Sequence, residues 1–507
     1  MTSAPSDTLL IRGARVLTLD DADREWSCAD VVIEDGRIAA IGPGAGDAWP
    51  RPFARVIDAA GLLAMPGLIN AHFHSPGNLM KGCLPGYPLE IFMLHEVPPL
   101  APGGDEARLA YVRTMVGALE MLRRGITAVH DDAYHVPVAS VVSIDAIMQA
   151  YADAGIRATV AIDQPNVVEY AKYPYLAEIL PAAERRAMDD APRQSTDELL
   201  GLYRHLIERW HGAAGGRLRA AVSCSAPQRV TNDYFAGLSQ LSKQHDLPFN
   251  VHILETKLQR VLGQEKYGKS LVRHVHDLGH LDERMMVIHA IWIDDEDIRL
   301  LAESGCTVAH NPVCNLRLGS GVMPYRKLRA AGVPICLGTD EMNTDDSVNL
   351  WFVAKTAALL HTLASPDYAT WPQPAEILHA ATRGGALALR REAKLGQLAL
   401  GCDADIALLD LDTVSFTPLN DLRRQLVQCE DGGSVRTTIV AGRVVYDKGC
   451  ITTVDESTLR AEMRELLAAG CGRGERAVRE AQRLEPYYRE MVLRAAAQDV
   501  GMNRWLN

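Results

Sequence analysis

The chain alternates between two textures of hydrophobic and polar positions. From residue 9 to about 66, short apolar runs (LLIRGARVLTLD, ADVVIEDGRIAAIG, RVIDAAGLLAMPG) are cut by turn residues, the pattern of strands joined by tight turns. Asp35-Gly36 falls where a two-residue hairpin turn belongs, because both positions tolerate positive φ. The same texture returns at 402–412 (CDADIALLDLD) and 435–447 (VRTTIVAGRVVYD). Neither piece has enough strands to bury a core alone. The pattern therefore predicts one small β-sandwich domain built from residues 1–66 and 396–455.

The middle of the chain alternates apolar β runs with helical stretches. Candidate strands cover 67–74 (GLINAHFH), 126–132 (ITAVHDD), 157–165, 218–227, 248–254, 285–293, 307–313 and 334–340. Helix-patterned segments such as ARLAYVRTMVGALEMLRRG, DEDIRLLAESG and YRKLRAAG separate them, each closing on a glycine. An α/β chain of this order fits a (β/α)₈ TIM barrel over residues 67–395 better than an open sheet. No GxGxxG motif opens a helix after a strand, so a dinucleotide fold has no support. The segment 166–195, with Tyr170, Tyr173 and Tyr175, is long and irregular, as expected of a lid or of a surface excursion. Residues 456–507 form an Arg- and Ala-rich helical tail, suited to packing on the barrel or on a second subunit, and a homodimer or larger homo-oligomer is expected.

Composition narrows the function. The chain has 507 residues, 52 Lys plus Arg against 64 Asp plus Glu, a formal charge of -12 and a pI near 5.8. An acidic surface argues against nucleic acid or anionic membrane as a partner and leaves a small-molecule substrate. No apolar run reaches the ~18 residues of a membrane span. The start, MTSAPSDTLLIRGARV, lacks a basic region before an apolar one, so a secretory signal is not expected. Ten cysteines without a CxxC pair fit a reducing compartment, and a cytoplasmic location is expected.

Polar side chains recur where the barrel strands end. His72 and His74 lie two apart on the first strand and so face the same side, where two imidazoles can chelate one divalent ion. His252 and Glu255 end the fifth run, His289 the sixth and Asp340 the eighth. Barrel active sites lie on the C-terminal rim of the strands, so these groups are expected to converge there on a metal.

These motifs also carry a resemblance. PGLINAHFH at 66–74, VHILET at 251–256, VIHA at 287–290, AHNPVCNLRLGSG at 309–321 and LGTDEMNTDDS at 337–347 resemble the amidohydrolase superfamily. The branch matched is that of the cyclic-amidine deaminases and triazine chlorohydrolases, similar to adenosylhomocysteine, guanine and cytosine deaminases. The likeness extends to the flanking β segments (EDGRIAAIG, VAGRVVYDKG). It implies one metal ion per chain, held by His72, His74, His252 and Asp340, with His289 as a further ligand or a partner of the bound water. The fourth run, LRAAVSCSAP, has no lysine to bridge two metals. Zinc is the default ion, with iron, manganese or cobalt also suited to a His-rich site. A metal lowers the pKa of its water to about 7. The resemblance then assigns catalysis to three residues: Asp340 takes that water's proton, Glu255 protonates the leaving nitrogen, and His289 hydrogen-bonds the developing oxyanion.

Substrate contacts are expected from Asn78, Gln164, His310, Asn315 and Glu341. Asn311, Asn343 and Asp345 lie in the same segments, and Lys81, Glu90 and His95 lie where relatives place such contacts. The stretch KGCLPGYPLEIFMLHEVPP departs from every deaminase subgroup considered, and His130 and His135 are read as structural. The function implied is hydrolysis of a C–N bond, with deamination of an aminated N-heterocycle first. Hydrolysis of an N-substituted urea, carbamate or amide comes second, and dechlorination of a triazine third. A non-catalytic scaffold would have no use for this set of rim residues.

Overall fold

The computed structural model describes residues 8–100 and 105–505; the remainder of the expected 1–66 segment and of the terminal tail lies outside the described residues. Five strands open the chain: β1 (Thr8–Leu17), β2 (Glu25–Glu34), β3 (Arg37–Gly42), β4 (Arg55–Asp58) and β5 (Leu62–Pro66). The β2–β3 turn is the expected one, with Asp35 and Gly36 at φ 50° and 74°. The barrel strands follow: β6 (Leu68–Phe73), β7 (Ile126–Tyr134), β8 (Arg157–Asp163), β9 (Leu218–Ala220), β10 (Val222–Ser223), β11 (Phe249–Ile253), β12 (Met285–His289), β13 (Thr307–His310) and β14 (Ile335–Leu337). The closing strands are β15 (Ile406–Asp410), β16 (Val435–Val440), β17 (Arg443–Asp447) and β18 (Cys450–Ile451).

Strands from the two ends of the chain pair directly. β5 runs antiparallel to β15, joining Leu62–Pro66 to Ile406–Asp410 in a single nine-stranded sheet ordered β18-β17-β16-β15-β5-β1-β2-β3, with β4 beside β1. Hydrogen bonding thus links these strands in one sheet and does not resolve them into the two facing sheets of a sandwich. Ile11, Val31, Ile33, Leu408 and Ile439 bury a shared apolar face.

The parallel strands form two ladders, β6-β7-β8-β9 and β10-β11-β12-β13-β14. The fourth run is split at Ala221, whose N–H turns to Val160 O while Val222 bonds Pro248 O. The other seam lies between β14 and β6. There the Asp340 N–H donates to His72 O at 3.0 Å, and Asn70 and Thr339 exchange two hydrogen bonds. Gly338 makes this approach feasible, since a Cβ there would lie 2.8 Å from the Cβ of His72.

The outer helices form for local reasons. Val141–Ala154 starts in a capping box of Ser140 and Ser143, ends at Gly155 with φ 86°, and buries Ile144, Ile147, Met148 and Tyr151 at helical spacing. Most barrel strands stop short of the sequence expectation. His74 lies one residue beyond β6, and the chain after Ile253 has already turned. The segment 166–195 is more ordered than expected, with a 3₁₀ turn at Glu169–Lys172 and helices Leu176–Ile179 and Ala182–Asp189. The tail is one helix, Glu456–Ala496, and among the described residues no helix is long and apolar enough to cross a membrane.

A buried ion network joins the barrel to the nine-stranded sheet. Arg157, at the start of β8, contacts Asp405 at 2.7 Å and Asp403 at 3.2 Å, and Asp403 also meets Arg391 at 2.7 Å. Removing the shared cation leaves two buried carboxylates with too little positive charge. Arg157→Ala is expected to lower stability by about 3 kcal/mol, read by chemical denaturation. A loss within the ~0.5 kcal/mol typical of surface changes would show that the network does not hold the two parts together.

Candidate metal centre and active-site cavity

Four imidazoles and one carboxylate meet at the C-terminal rim of the barrel. His72 Nε2 and His74 Nε2 lie 3.5 and 3.6 Å from Asp340 Oδ1, and His289 Nε2 lies 3.7 Å from Oδ2. His252 Nε2 is 3.2 Å from His72 Nε2. The backbone is bent to aim these groups. Ser225, Leu254, His289, Ala290 and Asp340 all adopt left-handed φ, between 46° and 73°. Non-glycine residues avoid this region unless the surroundings enforce it, and they cluster at functional sites.

Hydrogen bonds at the far ring nitrogens fix which face each imidazole turns inward. His74 Nδ1 donates to Asp132 O at 2.5 Å, His252 Nδ1 to Ser225 O at 2.8 Å, and His289 Nδ1 to Asn315 Oδ1 at 2.9 Å. His74 and His289 therefore turn an Nε2 lone pair toward Asp340, and His252 turns its own toward His72 Nε2, as ligation of a shared metal requires. His72 Nδ1 has no partner.

Electrostatics favour the neutral form of three of the four rings. Burial holds His72 and His289 at about 4, opposed by the Asp340 charge, and burial with three neighbouring imidazoles drives His252 well below its ordinary value. Neutral imidazole is the ligating form. Burial also lowers His74, but the carboxylates of Asp340, Asp132 and Asp163 outweigh it and raise the group. Burial pushes Asp340 up, yet His72, His289 and His74 together hold it far below the usual carboxylate range. Ligating atoms of His72, His74 and Asp340 lie within 4.8 Å of one another, as do those of His72, His252 and His289 and those of His74, Asp132 and His252, a donor set suited to a divalent cation.

Glu255 reaches the same place from the turn after β11. Its Oε2 is 3.4 Å from His289 Nε2, its Oε1 accepts from Ser320 Oγ at 3.3 Å, and its N–H donates to Gln259 Oε1. Burial, with the charges of Asp340 and Glu90, raises its pKa well above the ordinary value, against the pull of Arg229. A carboxyl so placed can carry a proton near neutrality.

These groups open onto a cavity of about 370 Å³. His74, His252, Glu255, His289 and Asp340 form its polar floor, while His72 lies beneath it. The far walls include Phe92, Met93, Tyr173 and, from the terminal helix, Leu484 and Tyr488. The helix is tied down by Glu485 to His95 at 2.9 Å and by Arg494 to Glu178.

The expected substrate contacts divide. Gln164 and Glu341 line the cavity. Asn315 instead fixes the ring of His289, with Asn311 3.5 Å from the same Nδ1. His310 is buried away from the cavity lining, against His361 Nε2 at 2.9 Å, and Asn78 donates to Arg113 O. Asn343 donates to Glu96, Asp345 accepts from Ser347, Glu90 accepts from Thr256, and Lys81 is exposed. His130 bonds Asn250 inside the barrel, whereas His135, read as structural, bonds Ser143 and also lines the cavity. Sequence reasoning missed Asp132, Asp163, Glu96, Tyr134 and Arg229. Asp163 ends β8 as an acid at a strand end, a signal equal to that of Asp340. Glu96, bonded to Tyr134 and Asn343, sits in the stretch with no matching subgroup.

Comparison with known proteins follows the same lines. The model of the amidohydrolase family matches residues 63–445. The chain is 31% identical over 462 residues to a 5-methylthioadenosine/S-adenosylhomocysteine deaminase of Nitratidesulfovibrio vulgaris, covering 90% of this chain and 96% of that one. It is 29% identical over 457 residues to a 5'-deoxyadenosine deaminase of Methanosarcina mazei, covering 90% and 97%. Among solved structures, an atrazine chlorohydrolase from Arthrobacter aurescens complexed with zinc aligns with TM-score 0.81 at 27% identity, over 90% of this chain and 99% of that one. An adenosine deaminase from Xanthomonas campestris with bound zinc aligns with TM-score 0.79 at 26% identity, over 92% and 98%. The family match spans well over half of the sequence and contains every residue of the candidate metal centre: the chain belongs to the amidohydrolase family.

Proposed function

We propose that the protein is a metal-dependent hydrolase that deaminates an aminated N-heterocycle. The observation that carries the reading is the placement of Glu255, buried and 3.4 Å from His289, over a converging set of His and Asp ligands at the floor of a largely apolar cavity. His72, His74, His252 and Asp340 would hold the ion, and the inward Nε2 of His289 supports a fifth place in that set. With Nδ1 donating to Asn315, His289 has a lone pair at Nε2 and no proton for an oxyanion, which favours the ligand role. The ion, zinc by analogy with the neighbours named above, supplies a Lewis acid and water acidic enough to attack at neutral pH.

The chain's own groups account for the rest. Asp340, held ionised, accepts a proton from the attacking water. Glu255, buried and of raised pKa, passes a proton to the leaving nitrogen, without which an amine is a poor leaving group. The cavity walls exclude water and hold the ring over these groups. The triazine hydrolase neighbours favour a second reading, displacement of a different leaving group from the same kind of ring carbon. Ammonia release from amino-purines, pterins and triazines supports the first reading; chloride or an organic amine supports the alternatives.

The purified protein is expected to bind about one equivalent of divalent metal, and His72→Ala to lower that content sharply. Two tightly held ions per chain would contradict the mononuclear reading. Glu255→Gln keeps the shape of the side chain but cannot move a proton. It is expected to retain the metal and to lose about 10²–10⁴-fold in turnover, the usual worth of a positioned acid–base group. Loss of metal in Glu255→Gln would make the residue a ligand, and unchanged turnover would remove it from the mechanism.

A further inference from the structure

Arg229 is the feature of the cavity that the mechanism leaves unused. It follows the broken fourth strand, is only 7% exposed and lines the cavity beside the metal centre. A buried guanidinium ordinarily makes forked pairs with a carboxylate. Here Nη1 donates to Ser225 Oγ at 3.2 Å, Nη2 meets only the weakly accepting sulfur of Met93 at 3.2 Å, and Nε has no partner. Asp163, Glu169 and Glu255 lie near enough to act on its charge, yet among the described residues no carboxylate forms an ion pair with it. A structural counterion would be in contact with its acid. This one holds its donors apart from the nearest acids.

The neighbouring wall supplies the opposite half of a recognition pattern. Asp163 Oδ1 and Gln164 Oε1 are buried without a partner, and both residues line the cavity. Gln164 is restrained only by a long 3.4 Å donation to Pro137 O. β8 ends at Asp163, one residue before Gln164, and is pinned there by Tyr203, whose Oη both accepts from Ile162 N and donates to Ile162 O. Ser225 ties the pattern to the chemistry: its hydroxyl meets Arg229 while its carbonyl holds His252. A group bound by Arg229 therefore lies close to the reacting carbon and not out on a remote tail.

We infer that Arg229 donates to an oxo group on the substrate ring, while Asp163 or Gln164 accepts from the N–H beside it. The substrate is then an amino-oxo heterocycle with a lactam edge, in contrast to an oxo-free aminopurine of the adenine type. The inference rests on the deamination reading and specifies its substrate. A carboxylate on a substituent could satisfy the guanidinium equally well, so the test includes that case.

Three amino heterocycles are compared on the metal-loaded protein: one with a ring oxo group, one without, and an oxo-free ring with a carboxylate tail. Ammonia release gives kcat/KM, and calorimetry with the matching deaminated ring gives affinity independently of turnover. The oxo ring is expected to be preferred. Arg229→Met should shrink its advantage over the oxo-free ring by about 10- to 100-fold, the worth of a hydrogen bond from a charged donor, mainly through KM. Arg229→Lys, which keeps the charge without the fork, should recover only part of it and covers the case in which Arg229→Met does not fold. Equal losses for the oxo and oxo-free rings, or a loss confined to the carboxylate-tailed ring, would overturn the inference. If no ring releases ammonia, the deamination reading fails. Calorimetry then still decides: lactam binding weakened by Arg229→Met sustains the edge reader, and unaffected binding removes it.

Discussion

The structure is organised around one costly arrangement: four imidazoles packed around a single buried carboxylate. Each group alone would pay heavily in lost hydration. Together they are tolerable because three rings have their outer nitrogen tied to Asp132, Ser225 or Asn315, which leaves the inner lone pairs facing Asp340 or a neighbouring imidazole. That aim demands backbone the chain would otherwise avoid. Leu254, His289, Ala290 and Asp340 take left-handed φ where parallel strands meet the rim, and the Asp340 N–H is bound to the carbonyl of His72. The barrel seam at β14 and β6 and the metal centre are thus one construction, with Gly338 allowing the two strands to approach.

The same burial that makes the site costly makes it useful. In water Glu255 would be an ordinary carboxylate; between His289 and Ser320, screened from solvent and facing Asp340, it is biased toward holding a proton. Asp340, closer to the imidazoles, is biased the opposite way. Two carboxyl groups driven apart in this manner are suited to the acid and base roles proposed for them. The walls of the cavity come from distant parts of the chain. Tyr488 of the terminal helix stacks edge-on against Tyr173 of the 166–195 segment, and that helix lies beyond the matched family span.

How much of this was legible in the sequence depended on whether the signal was local. His72 and His74, two apart, announced a shared face, and His252, His289 and Asp340 each ended an apolar run, so their convergence followed from the barrel rule. The alternation of runs and Gly-capped helices conveyed the barrel, and Asp35-Gly36 conveyed a hairpin. What escaped was set by packing between distant segments. Asn315 looked like a substrate contact but holds His289, because its partner comes from another strand. His310 faces His361, some fifty positions on, and nothing in AHNPV signals that. A β unit drawn from both chain ends was expected, but no pattern within either end disclosed that the β5–β15 pairing would run its strands into one nine-stranded sheet. Arg229 follows a strand that breaks at Ala221, so no periodicity pointed its side chain into the cavity.

His72, His74, His252, His289 and Asp340 are proposed to form one nitrogen-rich, mononuclear site. X-ray absorption spectroscopy on the protein loaded with zinc tests it most directly. The expected first shell holds nitrogen and oxygen only, dominated by imidazole, with no metal–metal scattering. A sulfur neighbour, for which Cys314 in the cavity wall is the nearest source, or a second metal in the shell beyond, would contradict it.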